Sequence, residues 1–123
     1  KYAIDRFDSI IMFFHRKSST QKEAGYRVTY NPDALFNQVT VTYTFATAPE
    51  MTLEEIVDDA LLYFKDFPTT LVSSEMLVEN YHLKRTVDYS YQNPLYKYEE
   101  TISGYKFSIY ENVNQYTVEI EKV

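Results

Sequence analysis

Four carboxylates close together in the chain, Glu54, Glu55, Asp58 and Asp59, are the side chains whose type and spacing best suit chemistry. Glu54 with Asp58, and Glu55 with Asp59, stand four residues apart. On a helix each pair would share a face, at a cost of about 0.2–0.5 kcal/mol from like-charge repulsion. A helix N-terminus offsets part of this for first-turn acids, by about 0.3–1 kcal/mol. Solvated acids matched to the helix dipole therefore account for Glu54 and Glu55 better than for Asp58 and Asp59. The functional reading is an acidic docking patch for a basic surface. A divalent-cation site is a further reading, but the glycine-containing twelve-residue loop of calcium sites is absent.

The second candidate set is aromatic. The chain has 13 Tyr and 8 Phe against two Gly and no Cys or Trp. Seven of the Phe lie in residues 1–67 and eight of the Tyr in residues 81–123, so the first half reads as the source of a dry core and the second as tyrosine-studded sheet. A phenol joins a large apolar ring to one hydroxyl that wants a partner, which suits half-buried surfaces. Ordinary packing explains most of these residues. Tyr89, Tyr91, Tyr96 and Tyr98, on either side of Asn93-Pro94, would form a binding face, because Tyr is enriched at the centres of interfaces. Base stacking on single-stranded nucleic acid would need a basic groove, which an acidic chain does not favour.

His15 and His82 are the only histidines. His15, beside Arg16-Lys17, reads as a helix C-terminal residue or a partly buried ring, with a general base as the alternative. His82 reads as a solvated strand residue, with an acid/base or contact role as the alternative. A nucleophile–His–acid triad depends on how the fold gathers its members. With only Gly25 and Gly104, glycine-rich phosphate loops are excluded, and no helical zinc pair with an intervening Glu is present. The absence of Cys removes disulfides and thiolate zinc sites. No catalytic residue, cofactor or metal is implied.

Charge is unevenly distributed. The net charge is −6. Residues 1–27 hold six bases and three acids, residues 28–83 one base and nine acids, and residues 84–123 five bases and six acids. Phosphate backbones and anionic lipid should repel such a chain, whereas a basic protein surface should attract it. No apolar stretch approaches the roughly 20 residues of a membrane-spanning helix. The chain opens at Lys1 rather than Met, as a processed or trimmed protein would, and a removed signal or anchor stays open. The lack of Cys does not choose a compartment.

The elements that must position these residues follow from periodicity. Ala3, Ile4, Phe7, Ile10, Ile11 and Phe14 have helical spacing, although residues 9–15 also fit a buried strand. Residues 18–25 read as a loop and residues 26–30 as a strand stopped by Asn31-Pro32-Asp33. Residues 38–45 alternate strictly, with Val39, Val41, Tyr43 and Phe45 on one face and Gln38, Thr40, Thr42 and Thr44 on a face that tolerates solvent. Thr52 and Glu55 form a capping box that opens a helix. Its apolar stripe is Leu53, Ile56, Val57, Ala60, Leu61 and Phe64, with Phe67-Pro68 as the stop.

Residues 69–80 are ambiguous and fit a strand at 70–72 followed by a helical turn through residues 75–79. Residues 81–91 alternate as a strand through Tyr81, Leu83, Val87, Tyr89 and Tyr91. Residues 96–102 read as a strand ended by a Ser103-Gly104 turn. Residues 105–110 and 116–122 form a hairpin around Asn112-Val113-Asn114, with Tyr105, Phe107 and Ile109 facing one way together with Tyr116, Val118 and Ile120.

The expected fold is a single α+β domain over residues 1–123, an antiparallel sheet of about four to six strands with one or two helices packed on one face. A curled sheet cradling a helix, as in cystatin-like or nuclear-transport-factor-like architectures, suits this order of elements; the similarity is one of architecture alone. The expected function is that of a non-enzymatic acidic protein-binding domain of inhibitor, immunity or antagonist type. It would engage a basic partner through the acidic helix face and the Tyr-rich sheet. One alternative is a structural or assembly domain of a secreted or membrane-anchored complex, with a homo-oligomer burying the Tyr face. Another is a small enzyme with a His–carboxylate site in a curled-sheet pocket.

Overall fold

The computed structural model describes residues 25–31, 37–64 and 72–123. The expectations for residues 2–24, His15, the Pro32-Asp33 turn and the Phe67-Pro68 stop lie outside these residues. The fold is α+β, with element order β1 (Gly25–Asn31), β2 (Gln38–Thr44), α1 (Leu53–Leu61), α2 (Ser74–Lys84), β3 (Thr86–Asp88), β4 (Leu95–Ile102), β5 (Tyr105–Asn112) and β6 (Gln115–Lys122). The strands make one open antiparallel sheet in the order β1-β2-β6-β5-β4-β3. Helix α1 packs on β2 and β6, α2 on β4, and the two helices on each other.

Alternation in β2 makes the sheet two-faced. Val39, Val41 and Tyr43 are fully buried, while Thr40, Thr42 and Thr44 on the other face are half-buried. Register carries this division across the sheet: Val28, Val41, Val118, Ile109 and Tyr98 are successive cross-strand partners, and all are buried. The next row on the same face is rich in phenols. Tyr26, Tyr43, Tyr116, Glu111 and Tyr96 lie side by side from β1 to β4. Ring centroids are 6.2 Å apart for Tyr26–Tyr43 and 6.4 Å for Tyr43–Tyr116. Four of the 13 Tyr thus stand in one ladder beneath the helices, and two of their hydroxyls meet polar groups there: Tyr26 donates to Asp59, and Tyr43 accepts from the Glu50 N–H.

Helix α1 begins as its sequence dictates. The Thr52 side chain accepts from the Glu55 N–H (3.1 Å), and the Glu55 carboxylate accepts from the Thr52 N–H (2.9 Å). Regular helix ends at Leu61, earlier than a proline stop at Pro68 predicts. The amides of Leu62, Tyr63 and Phe64 reach back three residues to Asp59, Ala60 and Leu61, a tightened turn that still buries Phe64. The whole expected stripe is buried.

Residues 81–91 are not one strand. Helix α2 runs through Lys84, capped by Ser73, whose hydroxyl accepts from the Met76 N–H (3.1 Å). Leu77 and Tyr81, four residues apart, are buried while Leu83 is exposed. The Tyr81/Leu83 alternation that favours a strand is overridden by helical burial of Leu77 with Tyr81, and His82 and Lys84 suit the negative end of the helix dipole. Only Thr86–Asp88 is strand; residues 89–94 form a loop that carries Tyr89 and Tyr91. The turn between β4 and β5 has positive φ at both Ser103 (53°) and Gly104 (84°), the left-handed pair of a tight hairpin.

Candidate functional site

The acids of α1 separate into distinct environments. Glu54 and Asp58 are exposed. Glu55 is half-buried and committed to the capping box. Asp59 is buried and accepts a hydrogen bond from the Tyr26 hydroxyl at the end of the phenol ladder. A carboxylate that faces the core and binds a buried phenol answers why Asp59 stands where dipole matching does not explain it. The four acids thus do not share one surface.

The tyrosines divide as well. Tyr89 and Tyr91 are exposed in the loop, at 75% and 60%. Tyr96 is half-buried beneath Arg85, whose guanidinium carbon lies 4.3 Å from the Tyr96 ring centroid. Tyr98 is buried, and its hydroxyl donates to Glu100 Oε1 at 2.5 Å. Burial first, and then the Glu100 carboxylate, push the Tyr98 hydroxyl well above the ordinary phenol range. Glu100 also accepts from Asn80 (3.3 Å) and Lys84 (2.9 Å) of α2, so this carboxylate clamps the helix to β4. Its own pKa is lowered, chiefly by the Tyr98 hydrogen bond and then by Lys84.

A hollow of about 450 Å³ lies between the N-terminus of α1, the outer side of α2 and the β5–β6 end of the sheet. Three carboxylates line it: Glu50, Glu54 and Glu111. Met51, Leu53 and Val78 supply apolar wall, and the Tyr116 ring adds a flat aromatic side. The rim segment is held in place, because the Tyr43 hydroxyl accepts from the Glu50 N–H at 2.8 Å. Glu111 is a member of the phenol row; it accepts from the Tyr81 hydroxyl at 2.6 Å and lies 3.6 Å from Arg85 Nη1. Burial, then Glu111, raise the Tyr81 pKa well above the ordinary range; the Tyr116 pKa is raised by burial, then by Glu111 and Tyr43.

His82 also lines this hollow. It belongs to helix α2 and not to a strand. Its Nδ1 lies 3.0 Å from the Val78 carbonyl, which can only accept, so Nδ1 carries the proton and Nε2 is the basic nitrogen. Among the described residues His82 forms no ion pair with a carboxylate.

No family model, curated protein or solved structure matches this chain. The site is therefore read from its own geometry. Among the described residues no group of three or more His, Asp and Glu is placed to hold a metal ion, and no helix is long and apolar enough to cross a membrane.

Sequence reasoning singled out Glu54 and His82 for this region and missed Glu50, Glu111, Arg85 and Tyr116. Glu111 was legible in one respect. It is a charged residue that continues the inward set Tyr105, Phe107 and Ile109, and an acid on a core-facing register predicts a polar partner above it.

Proposed function

We propose that this domain is a non-enzymatic protein-binding module that receives a lysine or arginine side chain of a basic partner in the hollow between α1 and α2. The observation that carries the reading is the convergence of Glu50, Glu54 and Glu111 on one cavity with an apolar wall. Lysine and arginine lay their methylene stems on apolar surface and keep the charged head among acceptors. Met51, Leu53, Val78 and the Tyr116 ring offer the first surface, and the three carboxylates the second. Exposed Asp58, one turn beyond Glu54, extends the negative field outward, and the −8 balance of residues 28–83 would steer a basic partner toward it. An inhibitor, an immunity protein or an antagonist would use such a surface.

Parallel affinity captures from host lysate test this. One column carries the wild-type chain and the other the Glu50→Gln/Glu54→Gln/Glu111→Gln variant. A basic protein retained by the wild type and lost by the variant supports the reading; identical retained sets contradict it.

One observation favours a second reading. His82 and Glu111 share the hollow, with His82 Nε2 as the basic nitrogen, as a small hydrolytic site would require. Turnover of a substrate by the wild type that disappears in His82→Gln, with basic-partner binding unchanged, would select this reading.

A further inference from the structure

The β5–β6 hairpin has a second hollow on its other side. Glu111 belongs to the helix-covered face and Asn112, next along the strand, to the opposite one. There, a cavity of about 460 Å³ opens between the residue 89–94 loop and the Val113-Asn114 turn. Its lining differs in kind from the acidic hollow. Four carboxamides contribute, Gln92, Asn93, Asn112 and Asn114, together with the exposed ring of Tyr91. Leu95 and Val113 complete it, and no carboxylate, lysine, arginine or histidine is present in the lining.

The turn is held in place before any ligand arrives, and the loop facing it is anchored at its two ends. Asn112 Oδ1 accepts from the Asn114 N–H at 3.1 Å, and the Asn114 carbonyl accepts from the Phe45 N–H at 3.0 Å. The turn is thereby fixed, and the Asn112 Nδ2 donors have no partner among the described residues. Across the cavity, Asp88 Oδ1 accepts from the Ser90 N–H at 2.9 Å at the start of the loop, and Pro94 fixes the backbone φ at its end.

A carboxamide is a donor and an acceptor in one plane, and a pair of neighbouring hydroxyls is its complement. A flat aromatic ring at the rim suits the C–H face of a sugar ring, and a cavity of this size falls in the usual range for small ligands. In a chain of net charge −6, a hollow without ionisable groups other than a phenol selects a neutral ligand. A peptide with charged side chains would find nothing here to answer them, and an uncharged one is a control in the test below.

We infer that the cavity between Tyr91 and Asn112 binds a neutral saccharide. This site is separate from the acidic hollow and does not depend on the protein-binding reading. The test is a nuclear magnetic resonance titration of the isotope-labelled chain with neutral oligosaccharides of α-linked glucose, β-linked glucose, mannose and galactose, and with a capped uncharged peptide.

At least one sugar should shift the amides of Tyr91, Asn93, Asn112 and Asn114 saturably and independently of salt. Tyr91→Ala and Asn93→Ala, both in the exposed loop, should each weaken that sugar about tenfold, the equivalent of one lost stacking or hydrogen-bonding contact. Glu54→Gln in the other hollow should leave it unchanged. The inference is overturned if no sugar shifts these amides, if a sugar binds but neither loop variant weakens it, or if the peptide shifts them and the sugars do not.

Discussion

The Tyr81 hydroxyl donates to Glu111 Oε1 across 2.6 Å, joining the buried face of α2 to the one carboxylate in the sheet's phenol row. The contact fixes α2 over the sheet and presents Glu111 to the acidic hollow, so one hydrogen bond serves both fold and site. Tyr81→Phe should lower stability toward the low end of the about 1.5–3 kcal/mol that a hydrogen bond to a charged group contributes, since Glu111 remains 28% exposed. Chemical denaturation of the two proteins measures it; equal stability would show the contact to be incidental.

The same bond predicts a base-sensitive fold. Tyr81 and Tyr98 have pKa values raised in the folded state, by burial first and by Glu111 and Glu100 second. A raised phenol favours folding fully while the unfolded phenol is neutral, below about pH 10. The contribution fades as pH climbs above that value, because the unfolded chain then ionises first. Stability should fall above about pH 10, and the fall should be shallower in Tyr81→Phe and Tyr98→Phe. Denaturation midpoints across the alkaline range check this.

On the acid side the sign reverses. Glu100 has a lowered pKa, from the Tyr98 hydrogen bond first and Lys84 second. Its contribution is present above the ordinary carboxylate value of roughly 4.3 and is lost as pH falls through the lower folded value. Glu100→Gln should therefore be less stable than wild type at neutral pH and converge with it in acid. Parallel curves at all pH values would remove Glu100 as the clamp between α2 and β4.

Charge reversal should sort the three acids of α1 that lie outside the capping box. Glu54→Lys and Asp58→Lys, both exposed, should change stability within about 0.5 kcal/mol while slowing association with a basic partner at low salt. Asp59→Lys should destabilise severely, because it places a cationic group against the core where Tyr26 needs an acceptor. Thermal melts of the three variants distinguish these outcomes.

Arg85 gives the prediction with the least intuitive sign. It lies over the Tyr96 ring and 3.6 Å from Glu111. Arg85→Ala should destabilise the fold by about 0.5–2 kcal/mol through the lost cation–π contact. It should also tighten binding of an arginine-containing peptide, since Glu111 loses its internal cation. Weaker binding by the variant would mean that the hollow does not use Glu111.

The parts of the fold that were legible are those where local and long-range preferences agree. Thr52 and Glu55 specify a helix start by themselves, and strict alternation in β2 assigns every side chain of that strand to a face. Tyr81 shows the opposite case. Its alternation with Leu83 and its spacing from Leu77 are both visible in the sequence, and only the packing of α2 on β4 chooses between them. The candidate site was less legible because it is assembled from Glu50, Glu54, His82 and Glu111, which lie on four separate segments. Asp59 and Tyr98 carry side chains typical of a binding face, yet their surroundings are core, and one sequence does not display burial.

The central claim is that the hollow takes a cationic side chain. Its most direct test is a titration of the labelled chain with two capped peptides that differ only in arginine against citrulline, the uncharged isostere. The account predicts that the arginine peptide shifts the amides of Glu54, Glu111 and Tyr116, that its affinity falls with added salt, and that the citrulline peptide binds at least about tenfold more weakly. Equal affinity of the two peptides, or shifts confined to other surfaces, would contradict it.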